Sequence, residues 1–228
     1  MKLQTRHVPL LALALVAAVA GAVAANLTAG GDGSGTAPGG EAAEAELRAL
    51  QGKLANTLVL PEDFRTVPAF SLVGGDGGPI DESFLEGRWT LAFFGFTHCP
   101  DVCPLTLQVM KEVVAELESR DVDPMQVAFF TVDPERDTAE RMGEYVAFFD
   151  EDFVGVTGEM GDVHALTSAL GIVAAFTASE ADPESYTVDH TASMLLIDPA
   201  RRVRAKFNPP HETRAIVDDY LALMAGLN

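Results

Sequence analysis

The two cysteines of this 228-residue chain lie close together, at Cys99 and Cys103, with three residues between them. They directly follow an apolar stretch of strand length, residues 89–96. A chain of this length with one close pair of cysteines does not resemble a disulfide-stapled scaffold. The spacing instead favours chemistry at sulfur, either as a redox couple or as two soft thiolate ligands for a metal ion.

Prolines follow both cysteines and constrain the geometry of the pair. Because a proline disfavours the α conformation of the residue before it, we expect Cys99 and Cys103 both to avoid regular helix. Pro104 suits the first turn of the helix that follows, which places both thiols on a turn at a helix N-terminus. The unpaired N–H groups there favour thiolate over thiol. Such a turn allows both an open metal-binding dithiol and a closed disulfide.

Two thiolates are too few ligands for a stable metal site, so a third is expected among the five histidines. His7 lies in the N-terminal segment and is excluded. His98 is next to Cys99, but neighbours in an extended segment point to opposite sides, so packing or a local hydrogen bond is the better prediction. His164 falls within a predicted helix and His211 at the start of another, where surface or capping roles are expected.

His190 is the strongest candidate for the third ligand. It precedes an apolar strand, residues 191–197, which in a thioredoxin-like sheet begins beside the dithiol turn. Asp189 is expected to orient the imidazole as a hydrogen-bond acceptor behind the metal. The alternative is an ordinary histidine at a strand end. Two thiolates and an imidazole suit Cu(I) and also accommodate Cu(II) or Zn(II), but structural zinc usually takes four protein ligands, so the ligand count favours copper.

The rest of the chain alternates predicted strands and helices. Their order is strand 89–96, helix 105–117, strand 126–132, helix from the N-cap Asp137 to 149, strand 153–156, helix 162–170, a hairpin of strands 191–197 and 202–207, and helix 211–225. The first helix is expected to bury the face formed by Leu105, Val109, Val113 and Leu117. This order predicts an α/β protein with a central mixed sheet covered by helices on both faces. A dithiol that ends the first long strand and opens a helix is the placement found in thioredoxin-like folds.

The N-terminal part of the chain predicts export. Lys2 and Arg6 precede an apolar run at residues 8–25, and no further positive charge follows until Arg48, so the positive-inside rule places the remainder outside the cytoplasm. We expect this run to be an uncleaved membrane anchor, with a cleaved signal peptide as the alternative. The expected organisation is an anchor at 1–25, a flexible linker and solvated helical spacer at 26–57, and one folded domain at 58–228.

The net charge of −19 excludes nucleic acid as an expected partner, because phosphate binding needs a basic surface. The single basic cluster, formed by Arg201, Arg202, Arg204 and Lys206, surrounds the predicted hairpin. We expect it to be a solvated strand face and not a docking patch.

Three motifs together resemble those of the Sco (SenC) family of copper-binding proteins. The dithiol segment at residues 94–104, FGFTHCPDVCP, resembles the family signature. Residues 132–138, VDPERDT, match the second motif, and residues 186–191, YTVDHT, match the third, whose histidine is the family's remaining copper ligand. The likeness runs from about Pro61 to the C-terminus and includes the N-terminal anchor. One departure is the turn at residues 198–201, which lacks the expected glycine.

The resemblance implies a membrane-tethered, thioredoxin-like domain on the periplasmic side of the bacterial inner membrane. It implies that Cys99, Cys103 and His190 hold one copper ion, as Cu(I) or Cu(II), and that the chain is a copper chaperone and not an enzyme. The implied partners are subunit II of cytochrome c oxidase, whose dinuclear CuA centre the family helps to assemble, and other periplasmic copper carriers.

Two other functions stay open at this point. A thiol–disulfide reductase would keep the cysteines of the recipient reduced, with Cys99 as the attacking thiol because it comes earlier on the turn. This role is compatible with the copper role, since only the dithiol form binds metal. A peroxidase of the peroxiredoxin or glutathione peroxidase kind shares the fold, but it needs a site that activates a peroxidatic cysteine and has no need of His190.

Overall fold

The structure of the chain, a computed structural model, describes residues 38–123, 125–178 and 186–227. The chain divides into two units between Glu44 and Ala45, and the described residues from Ala45 onward belong to the second unit. The predicted anchor at 1–25 lies outside the described residues. Among the helices that are described, none is long and apolar enough to span a bilayer.

A mixed sheet of eight strands forms the centre of the fold. Its strands are β1 (Thr57–Val59), β2 (Ser71–Gly74), β3 (Pro79–Asp81), β4 (Thr90–Gly95), β5 (Gln126–Thr131), β6 (Val154–Thr157), β9 (Met194–Ile197) and β10 (Val203–Phe207). Their order across the sheet is β1-β10-β9-β4-β5-β6-β2-β3. β4 pairs in parallel with β5, and β5 with β6, whereas the other pairs are antiparallel. All residues of β4 are buried, which requires cover on both faces of the sheet. The predicted mixed sheet is confirmed.

Helices separate many of these strands along the chain, and two of them connect the parallel strands. The helices are α1 (Pro38–Gln51), α2 (Val102–Glu118), α3 (Ala139–Ala147), α4 (Met160–Leu170) and α5 (Thr213–Gly226), with a 3₁₀ helix at Glu82–Leu85. α2 packs against α5, while α3 contacts β6 and β2 and α4 contacts β2. α4 ends at Gly171, whose φ of 71° is the left-handed conformation that favours glycine at a helix C-terminus. The predicted α/β class and thioredoxin-like fold are confirmed.

The face that α2 buries differs from the predicted one. Val113 and Leu117 are buried as expected, but Leu105 is 67 % exposed. The buried stripe consists of Cys103, Thr106, Leu107, Met110, Val113 and Leu117. The prediction for Leu105 is wrong because α2 begins at Val102, earlier than expected, and the buried Cys103 sets the phase of the stripe.

Asp137 is not the N-cap of α3, although its sequence position suggested that role. Thr138 caps the helix instead, and its hydroxyl accepts the N–H of Arg141 at 3.3 Å. Asp137 has no exposed surface. Its side chain therefore belongs to the interior beneath the thiols, where it accepts hydrogen bonds from two neighbouring strand ends.

The segment around His190 also folds differently from the prediction. The strand expected at 191–197 is shortened to β9, and the residues before it form an antiparallel hairpin of β7 (Ala174–Ala178) and β8 (Tyr186–His190). Within the part of the chain that the structure describes, this hairpin pairs with no strand of the eight-stranded sheet. His190 therefore lies at the end of a separate hairpin and not at the start of a sheet strand.

The helical spacer predicted within residues 26–57 forms helix α1, but it is not solvated throughout. Leu50 is buried. The side-chain amide of Gln51 donates to the carbonyl of Thr57 at 2.8 Å and accepts the N–H of Val59 at 2.9 Å. These contacts join the last turn of α1 to β1.

The basic cluster at residues 201–206 is partly neutralised within the domain. Arg202 and Arg204 lie 2.7 and 3.4 Å from the carboxylate of Asp198, which is buried. Arg204 is buried as well, so the expectation of a solvated strand face is wrong for this residue. Arg201 adopts a φ of 64°, the left-handed conformation for which a glycine was expected in this turn.

Gly143 allows α3 to approach the end of β2, because a Cβ at this position would lie 2.7 Å from the carbonyl oxygen of Gly75. Gly143→Ala is therefore expected to lower the free energy of unfolding by about 1–3 kcal/mol, even though alanine favours helix. The matched control is Gly161→Ala in α4, where a Cβ would meet nothing within 4 Å. This control should raise the free energy by up to about 1 kcal/mol. Chemical denaturation measures both, and changes of the same sign would contradict the close approach.

Candidate metal centre

Cys99 and Cys103 lie in the connection from β4 to α2. The N–H of Cys99 donates to the carbonyl of Phe96 at 3.2 Å, and the N–H of Cys103 donates to the sulfur of Cys99 at 3.4 Å. Both thiols are free, and Cys99 is half-buried while Cys103 has no exposed surface. The first turn of α2 therefore receives the Cys99 sulfur at its N-terminal end, as the sequence predicts.

Cys103 does not avoid the helix, contrary to the expectation drawn from Pro104. α2 begins at Val102, so Cys103 is its second residue and Pro104 its third. A proline in the first turn lacks an N–H that would have no partner within the helix, so no helical hydrogen bond is lost. The conformational preference of the residue before proline is a steric bias, which the burial of Cys103 outweighs.

Gly95, the last residue of β4, makes room for the Cys103 sulfur. A Cβ on Gly95 would lie 2.6 Å from that sulfur and 2.9 Å from the ring of Phe129. Both distances are far below ordinary contact, so any larger residue would displace the thiol or the ring. The glycine therefore fixes the depth at which Cys103 lies below the surface.

His190 completes a compact cluster with the two cysteines. Its Nε2 lies 3.5 Å from the sulfur of Cys103, and the ligand atoms of the three residues lie within 4.8 Å of one another. The imidazole packs edge-on against the rings of Phe93 and Phe96, at centroid distances of 6.0 and 5.8 Å. The structure thus brings together the three residues that the sequence predicts as ligands, although they come from two separate segments.

The orientation of His190 does not depend on Asp189, and that prediction is wrong. The Nδ1 of His190 lies 3.1 Å from the backbone carbonyl of Thr191, to which it donates when protonated. Asp189 is exposed, because successive residues of β8 point to opposite faces. With the proton on Nδ1, the lone pair of Nε2 faces the thiols, as a metal ligand requires.

The other described histidines lie apart from this cluster. His98 is exposed, and its Nδ1 lies 3.4 Å from the hydroxyl of Thr97, which is the local contact that the sequence favours. His164 is exposed on α4 as expected. His211 is half-buried, and its Nε2 donates to the carbonyl of Ala192 at 2.8 Å. His7 lies outside the described residues.

The donor set of the cluster has the chemistry of a soft metal site. Two sulfur atoms and one imidazole nitrogen suit Cu(I), whereas structural zinc sites usually have four protein ligands. Within the described part of the chain, no fourth histidine, cysteine or carboxylate joins the three ligand atoms. The residues present therefore fit a three-coordinate copper ion better than structural zinc.

Comparison with protein families identifies the chain. The sequence model of the SCO1/SenC family matches residues 60–225, which include all three residues of the thiol–imidazole cluster. The chain belongs to the SCO1/SenC family. The family resemblance stated from the three motifs is therefore confirmed.

Relatives within the SCO1/SenC family differ in length from this chain. The SCO2-like protein of Rickettsia felis is 33% identical over 153 residues, which cover 67% of this chain and 74% of that protein. The human protein named SCO1 homolog, mitochondrial, is 42% identical over 131 residues, which cover 57% of this chain and 43% of the human protein. The chain thus spans less than half of the human relative.

Solved structures of SCO1/SenC proteins share the fold of this chain. ScoI of Arabidopsis thaliana, described with copper bound, has a TM-score of 0.65 and 31% identity, covering 70% of this chain and 98% of that one. ScoI of Bradyrhizobium japonicum, also described with copper bound, has a TM-score of 0.61 and 33% identity, covering 69% of this chain and 99% of that one. These likenesses extend over nearly all of the two solved chains.

The two thiols of this SCO1/SenC chain differ in acidity. Donation from the Cys103 thiol, together with backbone N–H groups at the start of α2, lowers the pKa of Cys99 to about 5. Cys103 donates this hydrogen bond to Cys99 and is buried, and both effects raise the pKa of the Cys103 thiol well above its ordinary value. The pair therefore holds one proton at neutral pH, with Cys99 as thiolate and Cys103 as thiol.

Asp137 supports this SCO1/SenC site from below, a role that the sequence analysis missed. Its carboxylate accepts the hydroxyl of Thr97 at 2.6 Å and the hydroxyl of Thr131 at 2.7 Å. The guanidinium of Arg141 donates to the same Thr97 oxygen at 2.6 Å. These contacts fix the direction in which the chain leaves β4. The only signal for this role in the sequence was the presence of Asp137 in the second family motif.

Cys99 is expected to react with iodoacetamide over a pH range set by its pKa of about 5, whereas the buried Cys103 stays unreactive in the folded chain. The rate should therefore reach half its plateau near pH 5, measured by mass spectrometry of the alkylated peptides. Cys103→Ala removes the main donor and should move the midpoint up, towards the ordinary pKa of 9.0. An unchanged midpoint in Cys103→Ala would contradict the assigned donor.

Proposed function

We propose that this chain is a copper metallochaperone and not an enzyme, which holds one copper ion through Cys99, Cys103 and His190. The observation that carries the proposal is the convergence of three soft ligand atoms within 4.8 Å of one another. The copper bound in the Arabidopsis and Bradyrhizobium ScoI structures supports the choice of metal. The ion enters as Cu(I) or Cu(II) and leaves by ligand exchange with an acceptor protein.

The proposed acceptor is subunit II of cytochrome c oxidase, whose CuA centre takes up copper. Support comes from family membership and from the three motifs that carry it. The proposed copper donor is another periplasmic carrier. We place the folded domain in the periplasm, held at the bacterial inner membrane by residues 1–25 through the segment that follows them, because of the charge and apolar pattern of the N-terminal segment. Tethering would raise the effective concentration of the domain near a membrane-bound acceptor.

A specific observation favours a second function, thiol–disulfide reduction of the acceptor. Cys99 is half-exposed and its pKa of about 5 makes it the thiolate of the pair at neutral pH. Cys103, buried and protonated, would then be the resolving thiol. In this reaction Cys99 attacks the acceptor disulfide, Cys103 displaces the acceptor thiolate, and the chain is left oxidised while the acceptor gains both electrons.

The reduced chain is expected to bind one copper ion, measured by metal analysis after anaerobic addition of Cu(I). Cys99→Ser, Cys103→Ser and His190→Ala should each weaken binding by more than the roughly 10–100-fold that loss of an outer contact costs a metal site. His98→Ala is the matched control, because His98 neighbours Cys99 but is exposed and lies outside the cluster. Full affinity in His190→Ala combined with loss in His98→Ala would refute the ligand set.

The two functions separate at His190, because thiol exchange needs only the cysteines. His190→Ala is expected to abolish CuA assembly in cells while leaving reduction of a small disulfide reagent by the purified chain within about twofold of normal. Cys99→Ser should abolish both. CuA content is measured from the spectrum of the isolated oxidase. Normal CuA content in His190→Ala cells, with oxidised subunit II accumulating in Cys99→Ser cells, would favour the reductase instead.

A further inference from the structure

The proposed copper site joins two parts of the fold that are not hydrogen-bonded strand to strand. Cys99 and Cys103 belong to the β4–α2 connection, whereas His190 ends the β7–β8 hairpin, which lies outside the eight-stranded sheet. A two-stranded hairpin is marginally stable by itself. Side-chain contacts of the hairpin therefore add to its covalent link with β9 in holding the imidazole beside the thiols.

A cluster of three residues supplies such contacts at the other end of β8. Tyr186 begins β8, and its hydroxyl donates to the carboxylate of Asp133 at 2.6 Å. Asp133 is fully buried and forms an ion pair with Arg136. The guanidinium of Arg136 lies 3.8 Å from the centre of the Tyr186 ring, and its Nη1 donates to the Tyr186 carbonyl at 3.2 Å.

The same arginine connects this cluster to the copper ligand. The guanidinium carbon of Arg136 lies 5.7 Å from the centre of the Phe96 ring, and Phe96 packs edge-on against His190 at 5.8 Å. Tyr186 and His190 share the inner face of β8, because they are four residues apart in a strand. The hairpin is therefore held at both ends of one strand face.

We propose that Asp133, Arg136 and Tyr186 form a hairpin clamp that positions His190 against the two thiols. These are positioning residues, since none of them belongs to the ligand cluster. Burial and the bond to Asp133 raise the pKa of Tyr186 to about 12, so the phenol stays protonated and donates across the physiological range. The inference rests on the proposed copper function and deepens it, because it makes the position of the third ligand depend on contacts that span 50 and 53 residues of the chain.

The clamp raises the effective concentration of the His190 imidazole beside the two sulfurs and does not alter the thiols themselves. With the clamp intact, His190 meets an ion already held by the two sulfurs without further ordering of the chain. Without it, each binding event must also order the hairpin, so copper affinity falls. Loss of the clamp should therefore have no effect on affinity when His190 itself is absent.

The test uses the full chain in mild detergent and Cu(I) as the probe, with affinity measured by competition against a chromophoric Cu(I) chelator. Arg136→Met is expected to lower affinity by about 10–100-fold, as for other residues that orient metal ligands. Tyr186→Phe removes one hydrogen bond and keeps the ring, so a loss of about 2- to 10-fold is expected. In the His190→Ala background, neither substitution should change the affinity further.

Arg202→Met is the matched control. Arg202 also pairs with a buried aspartate, Asp198, at 2.7 Å, but it lies in the β9–β10 hairpin away from the ligands. It should keep the copper affinity of the unaltered chain. An affinity in Arg136→Met equal to that of the unaltered chain would overturn the clamp, and so would an equal loss with and without His190, which would indicate general destabilisation.

A second measurement without metal separates failure of the clamp from failure of the proposed function. Amide hydrogen exchange in β7 and β8 should accelerate in Arg136→Met while exchange in β4 and β5 stays unchanged. If the unaltered chain binds no copper, the copper function fails, whereas the exchange pattern still reports on the clamp. Unchanged exchange in the hairpin would overturn the clamp whatever the copper result.

Discussion

The buried carboxylate of Asp137 is the constraint on which the arrangement of the site depends. A carboxylate without exposed surface is strongly disfavoured unless hydrogen bonds replace its water. Asp137 accepts the N–H and hydroxyl of Thr97 and the hydroxyl of Thr131, and its own carbonyl accepts the hydroxyl of Thr157 at 2.7 Å. Thr97 follows β4, and the other two threonines end β5 and β6. One residue therefore ties together the carboxyl ends of three parallel strands, which is where the thiols lie.

The cluster above this frame combines a rigid part with a separately attached part. The rigid part is the first turn of α2, where Gly95 leaves room for the Cys103 sulfur and donation from the Cys103 thiol, together with backbone N–H groups, favours Cys99 as a thiolate. The attached part is the hairpin that carries His190. The difference in proton affinity between the thiols arises from the hydrogen bond between them and from the deeper burial of Cys103. The two proposed functions, metal binding and thiol exchange, would both begin at Cys99, the thiolate of the pair at neutral pH.

The sequence predicts those parts of the site whose signals are local. β4 and β5 are continuous apolar runs because parallel strands are buried on both faces. The three clustered residues are recognisable by their types and motifs. The β7–β8 hairpin was missed although β7 is mostly apolar (AAFTA), because its two strands are only five residues long and pair with each other outside the main sheet, and four of the five residues of β7 are exposed. The roles of Asp137 and Asp189 were misassigned because each was assigned to its neighbours in the sequence, a helix start for Asp137 and a histidine for Asp189. The actual hydrogen-bond partners of a carboxylate depend on tertiary packing.

The unequal exposure of the clustered residues gives ligand exchange a direction. Cys103 has no exposed surface, whereas Cys99 and His190 are each reached from solvent. An incoming thiolate or imidazole can therefore attack an ion held here only from the side of Cys99 and His190. In the proposed transfer those two bonds would be replaced first, and the bond to Cys103 would break last. The buried sulfur would then keep the ion bound until the acceptor has taken it up, which would hinder release of the free ion into water.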